Sequence, residues 1–507
     1  MDDAVKAESV KLFLRTSRVP DTDNVFAIGP FGSRVSFAAQ QKRAFNTVWA
    51  LEKETLIRPG SKVAVLGAGI AGLTAAAALA SRRCIVHLFE KSDRELRLQK
   101  ETVHRYIHPT VNLWPDVAVI NPTTVFPFMD WHADQCSRAV DALYREWKDH
   151  LKKYVTKTYL RSLVLGLDPP NKPKFVICSP GGEADERSGP YDVIILALGF
   201  GPEREVSGLQ TTSYWTRDAI ADLEGESDTK SVSGIGDGGL IDALRIVHTN
   251  FDMGKLPLAV VHALDNTGIP EHLRALERAI RDRATSNEVA APEYAERYNE
   301  AFELIPPYVL ELLDNSLRTD LNEPLLLIGA LSAPYSLTSA PIHKLMITHA
   351  IARNAVRYEM GRLTNGPVLT VAGTPTPLPT PCVVRHGPDA EKSMSGLLSP
   401  SQATKLRANQ TVLEDVLEMG QYDGSYWARW PGYPQQSADS PAFVDFRFPA
   451  AKDYVLREFE VPLSRAYKGG KASYFVTNPP GQDLSRMVPK KLFGITTDVR
   501  PGKIQHV

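Results

Sequence analysis

Residues 62–90 read KVAVLGAGIAGLTAAAALASRRCIVHLFE: a β-branched apolar strand, a glycine turn, an alanine-rich helix, and a second strand that ends on a carboxylate. Few local patterns constrain a fold as tightly. Gly67 lets the chain turn sharply out of the strand, Gly69 lets bare backbone approach a pyrophosphate, and Gly72 lets the helix lie close to the sheet. Ala68, Ile70 and Ala71 complete the turn, and the N–H groups that open the helix face the phosphates with the positive end of its dipole. Glu90, followed by Lys91, stands where a carboxylate accepts the ribose hydroxyls of an adenosine and repels a 2′-phosphate.

The rest of the composition narrows the class. Fifty-eight Lys and Arg balance 59 Asp and Glu, a net charge of −1 that argues against broad electrostatic binding of nucleic acid. No uncharged apolar run reaches membrane-spanning length, and the N-terminal MDDAVKAESVKLFLRTSRVP lacks the apolar core of a secretory leader, so a cytoplasmic location is expected. The four cysteines, Cys84, Cys136, Cys178 and Cys382, are scattered and form no CxxC pair. That spacing excludes a zinc ribbon and a dithiol redox centre of the CxxC kind.

Ahead of the turn, Ser36 is positioned to cap an entry helix through FAAQQKRAFNTVWAL. Behind it, KSDRELRLQKETVHRYIHPTVNLWPD is too irregular for one element and offers Arg105, His108 and Trp114 as candidate cofactor contacts. A helix is expected over 130–154, then short strands in LRSLVLGL and KFVICS, then a return strand, YDVIILALG, which ends in Ala197-Leu198-Gly199.

Over roughly residues 60–245 the chain resembles the FAD-binding proteins with two dinucleotide-binding domains, a superfamily that includes flavin monooxygenases and pyridine-nucleotide oxidoreductases. In those proteins a β-meander is followed by a strand ending ATG, where this chain has ALG. The resemblance implies bound FAD, with adenosine near Glu90 and backbone at Ala197 and Gly199 against the cofactor. It implies an α/β protein: a Rossmann-like FAD-binding three-layer fold with an inserted β-meander, plus a second α/β region with a helical insertion. The expected divisions are a lead and entry helix over 1–58, the FAD domain over 59–230, the second region over 231–375 and a C-terminal region over 376–507.

A second glycine cluster, KSVSGIGDGGLIDALRIV, carries Gly234, Gly236, Asp237 and Gly239. Two functional assignments stand open, beside a purely structural glycine turn between sheet and helix. The cluster opens an NAD(P)H domain, or Gly236-Asp237 is the superfamily's Gly-Asp motif, whose aspartate serves the ribityl chain of FAD. An aspartate suits a hydroxyl-rich chain and repels a pyrophosphate, whereas the mid-chain position suits a second domain. For a second ribose only Asp265 offers a carboxylate, and Arg245 is the candidate for a 2′-phosphate.

Further on, helices are expected from Ile269 to Leu317, a buried strand in EPLLLIGAL, and a proline-rich connector from Thr370 to Pro381. The triplet Arg385-His386-Gly387 resembles the opening of histidine phosphatases, but the later proton-donating histidine of that family has no counterpart except terminal His506. His343 and His349 do not share a helical face as a metal pair, and no metal site is expected. Tyr422, Tyr426, Trp427, Trp430 and Tyr433 form an aromatic cluster suited to packing. No internal repeat is evident, and no residue stands out as a catalytic acid or base.

The expected activity is that of an FAD-dependent oxidoreductase reduced by NAD(P)H and acting on a small molecule. A flavin oxidase of amines or amino acids and a low-turnover flavin sensor are the competing possibilities.

Overall fold

The computed structural model describes residues 10–411, apart from 12, 32–35, 117–121, 123, 125, 127, 171, 224–228, 250, 252–253, 266, 286–290, 364–367 and 372–373, together with strands between 463 and 501. The aromatic cluster from Tyr422 to Tyr433 lies outside the described residues.

The first unit is built on strands β1 (Val25–Ala27), β2 (Lys62–Leu66), β3 (Ile85–Phe89), β4 (Lys157–Tyr159) and β8 (Val193–Leu196), in the parallel order β4-β3-β2-β8-β1. Period-two alternation sorts its side chains between two faces. Val63, Val65, Val193 and Ile195 pack against helices α1 (Phe37–Lys53) and α2 (Ile70–Ser81). Ala64, Leu66, Ile194 and Leu196 pack on the other side against Val176 and Cys178 of an antiparallel meander. That meander comprises β5 (Ser162–Asp168), β6 (Phe175–Pro180) and β7 (Glu186–Ser188). Helices, sheet and meander make the three layers. Ser36 caps α1 by accepting the N–H of Ala39 at 3.1 Å.

Several elements differ from the sequence expectation. The helix expected from residue 130 begins only at Cys136 (α3, Cys136–Glu146), because Asp134–Gln135 is drawn into a short antiparallel pair with Tyr106–Ile107. Strand β7, polar and three residues long, lacks the apolar signature of its neighbours. Strand β1 is equally short, and it is held as the sheet edge by pairing with β8.

The second unit repeats this plan, although the sequence shows no repeat. Strands β9 (Ser231–Ser233), β10 (Leu325–Gly329), β11 (Val356–Met360) and β15 (Cys382–Val384) form a parallel sheet in the order β11-β10-β9-β15, matching β4-β3-β2-β8. Helix α4 (Asp237–Val247) follows β9 as α2 follows β2. Residues expected to form a proline-rich connector instead contribute to a second antiparallel meander, β12 (Arg362–Leu363), β13 (Val368–Val371) and β14 (Thr374–Pro377), between β11 and β15. Leu326 and Ile328 face Leu369 and Leu378 of that region, whereas Leu325 and Leu327 face the helices.

Between α4 and β10 runs the helical insertion: α5 (Lys255–Leu264), α6 (Ile269–Thr285), α7 (Ala291–Glu303) and α8 (Pro307–Ser316). It is pinned to α9 (Pro341–Ala352) by Lys344, fully buried, whose ammonium donates to Glu277 Oε1 at 2.9 Å and to the carbonyl of Leu337 at 3.0 Å. No helix among the described residues is long and apolar enough to cross a membrane.

Candidate dinucleotide sites

At the first turn, Gly67 has φ +102°, and a Cβ there would fall on the carbonyl oxygen of Ala197. A Cβ on Gly72 would fall on the carbonyl of Gly67. Only Gly69 looks onto open space, and it opens α2 with extended backbone. The first and third glycines are therefore required by the protein's own packing, whereas a side chain on the middle one would meet no protein atom.

The second turn has the same construction. Gly234 has φ +132°, and a Cβ on it would fall on the carbonyl of Arg385. Gly239 lies against the carbonyl of Gly234, and Gly236 faces open space as it opens α4. Arg385 thus takes the place of Ala197, and Gly387 (φ +79°) that of Gly199 (φ +72°). The phosphatase-like triplet is the second copy of the ALG strand end. His386 Nε2 lies 2.8 Å from Ser233 Oγ, and the Arg385 guanidinium is engaged beneath the turn.

Both turns open on one cavity of about 2050 Å³. Drug-sized ligands fill roughly 300–1,000 Å³, so there is room for two extended dinucleotides. At the first turn Glu90 accepts the N–H of Ala68 at 2.7 Å and that of Ser92 at 2.8 Å, one on each oxygen. Its carboxylate is fixed at the strand end with lone pairs left for ribose hydroxyls. Ala68, Ile70, Ala71, Lys91 and Gly199 also border the cavity. This cradle fits the adenosine diphosphate portion of FAD.

Asp237, on which the two assignments of the second cluster turn, is engaged by the protein itself. Its Oδ1 accepts the N–H of Ala340, at the start of α9, at 2.8 Å and lies 2.9 Å from His343 Nδ1. Burial acts to raise its pKa, but His343 and the Ala340 N–H hold the carboxyl below its ordinary range. The charge is thus already compensated by protein, and the Gly236 amide edge remains open for phosphate.

Arg105, expected beside the cofactor, borders the cavity but is buried and committed elsewhere. It donates to both oxygens of Asp242 in α4, and its guanidinium stacks 3.8 Å over the Tyr214 ring. Asp242 also accepts from Arg385 Nε at 2.7 Å and Arg245 Nη1 at 3.3 Å. Burial opposes ionisation there, and Arg105 and Arg385 more than offset it, holding this carboxyl far below its usual value. Arg245, the candidate for a 2′-phosphate, is sequestered by Asp218 at 2.8 Å and 3.0 Å. Asp265 follows α5 and does not border the cavity. Trp114 is packed into the second core, and His108 borders the cavity.

Sequence inspection missed Glu203. Burial raises its pKa, and its Oε2, like Arg385 Nη2, has no hydrogen-bond partner among the described residues. Among those residues no cluster of His, Cys, Asp or Glu is arranged to hold a metal ion.

Residues 65–109 match the family described as NAD(P)-binding Rossmann-like domain. A search of curated proteins finds no match. Among solved structures, similarity is found to an NAD-dependent persulfide reductase from A. fulgidus, with 14% identity over 68% of this chain and 47% of that one, TM-score 0.31. The bacillithiol disulfide reductase of Staphylococcus aureus gives 12% identity over 67% and 80%, TM-score 0.36. OTEMO in complex with FAD and NADP gives 12% over 67% and 73%, TM-score 0.32. The aligned part spans about half of the persulfide reductase and, at 52%, of a pyridine nucleotide-disulfide family oxidoreductase from Enterococcus faecalis V583. The matched segment runs from the end of β2 through the first turn, α2 and β3 of the parallel sheet.

Proposed function

We propose that the chain is an FAD-dependent oxidoreductase reduced by NAD(P)H, with FAD at the Gly67–Gly72 turn and the nicotinamide dinucleotide at the Gly234–Gly239 turn. The supporting observation is the duplicated glycine turn on two sheets of like order, both opening on one cavity. FAD, when bound, supplies hydride acceptance from the nicotinamide and passes reducing equivalents to oxygen or a small substrate.

The protein's part is placement. Gly69 and Gly236 clear a path for phosphates to the helix N-termini, and Glu90 orients a ribose. The Arg105–Asp242 contact joins the segment after the first turn to the helix after the second, and so would hold the two turns in a fixed relation.

The test is spectroscopic. Purified protein should show a flavin absorption spectrum, and anaerobic NADPH or NADH should bleach it. Colourless protein that does not take up FAD refutes the assignment. Flavin that neither nucleotide reduces refutes the nicotinamide part.

A further inference from the structure

We infer that the second turn selects a 2′-phosphorylated adenosine, NADP(H) over NAD(H), with Arg362 facing the phosphate. The inference rests on the assignment of that turn to a nicotinamide dinucleotide. It comes from comparing the two units position by position.

Gly67 donates its N–H to Phe89, the residue before Glu90, and Gly234 donates to Ile328, the residue before Gly329. Gly329 therefore occupies the place of the ribose-binding acid. Its neighbourhood has changed to match. The turn residue Ala68 beside Glu90 is replaced by Ile235, and a Cβ built on Gly329 would lie 2.5 Å from Ile235 Cγ2 and 2.9 Å from the Tyr358 hydroxyl. A side chain there would have to displace Ile235 and Tyr358, and with glycine at this position no carboxylate stands there.

A second position changes in the complementary sense. Ser162 donates its N–H to the carbonyl of Glu90, and Gly361 donates to that of Gly329, so Arg362 corresponds to Leu163. Both border the cavity. Over the first adenosine the pair is a carboxylate and a leucine, and over the second it is a glycine and a guanidinium. The charge beside the 2′ position thus moves from negative to positive, while Glu359 in the adjoining strand does not border the cavity. A guanidinium binds phosphate through parallel charge-assisted hydrogen bonds, and the absence of the acid removes the group that discriminates against it.

The experiment is calorimetric titration of flavin-loaded protein with NADP⁺, NAD⁺, 2′,5′-ADP and 5′-AMP, on the wild type, Arg362→Ala and Arg362→Glu. Retained flavin and unchanged circular dichroism identify folded variants. The expected result is at least tenfold tighter binding of NADP⁺ than NAD⁺, and of 2′,5′-ADP than 5′-AMP. Arg362→Ala should abolish that margin by weakening only the 2′-phosphorylated ligands, and Arg362→Glu should invert it. Equal or tighter NAD⁺ binding, or a preference that survives both substitutions, overturns the inference and leaves the nicotinamide assignment standing. Binding of none of the four overturns both.

Discussion

Arg105 and Asp242 meet across the seam between the two units, a guanidinium from the segment after the first turn forked onto a carboxylate in the helix of the second. Both are buried, and Asp242 is shared with Arg385 and Arg245. Removing the shared acid leaves three buried guanidinium groups less compensated, whereas removing Arg105 leaves Asp242 two partners. Asp242→Ala should therefore lower stability by about 3–5 kcal/mol, and Arg105→Met by clearly less. Urea unfolding midpoints of the two variants provide the check, and equal losses would contradict the shared-acid arrangement.

On the proposed assignment, the two middle glycines tell the cofactors apart. A Cβ at Gly69 or Gly236 meets only open space, so valine at either should leave the fold intact and place a side chain where a pyrophosphate must lie. Gly69→Val is expected to be purified without flavin. Gly236→Val should keep its flavin and lose reduction by NAD(P)H. Gly72→Ala, whose methyl would fall on the Gly67 carbonyl, should instead lower the unfolding temperature. A folded Gly69→Val protein with a full complement of flavin would be incompatible with the proposed site.

Glu90 is held by the amides of Ala68 and Ser92, with one oxygen on each. Hydrogen bonds to a charged group contribute roughly 1.5–3 kcal/mol, so Glu90→Ala should weaken FAD about tenfold to a hundredfold. Fluorescence titration of flavin-stripped protein measures this, and unchanged affinity would remove the acid from the adenosine site.

Buried imidazoles set the response to acid. Burial, helped by neighbouring histidines, pushes His108 down to about 3, and burial alone does the same to His132. A base whose folded pKa lies below its unfolded value near 6.5 stabilises the fold fully above pH 6.5, and that stability is lost as pH falls toward 3. Each such histidine should steepen the decline by about 1.4 kcal/mol per pH unit. His108 Nδ1 accepts the amides of Thr110 and Val111, both at 3.1 Å, a role that an asparagine oxygen can fill. His108→Asn should flatten the slope of stability against pH between 6 and 4 by about one proton, as read from urea melts.

The first turn was legible in the sequence because strand, glycines, helix and acid lie within one short stretch, each obeying local rules. The second was half legible. Its glycines are plain, but its adjacent strand β10 lies beyond the helical insertion, and the acid that usually marks that strand's end is Gly329. The repeat escaped notice because what the two units share is backbone: strand order, two positive-φ glycines, a meander. The residues matched to Ala197 and Leu198 are Arg385 and His386. Arg105 stands out in the sequence as a candidate cofactor contact, but its partner Asp242 is 137 positions away and no spacing rule joins them.

Lys344 carries a last consequence. Its ammonium is shut away from solvent, and its carboxylate counterpart, Glu277, comes from the inserted helices. Cutting those helices out would take away the carboxylate that compensates this ammonium and bare the apolar residues packed around it, so the insertion is no detachable ornament. The second sheet and its helical cover are therefore expected to melt together, and exchange of one without the other to lower stability.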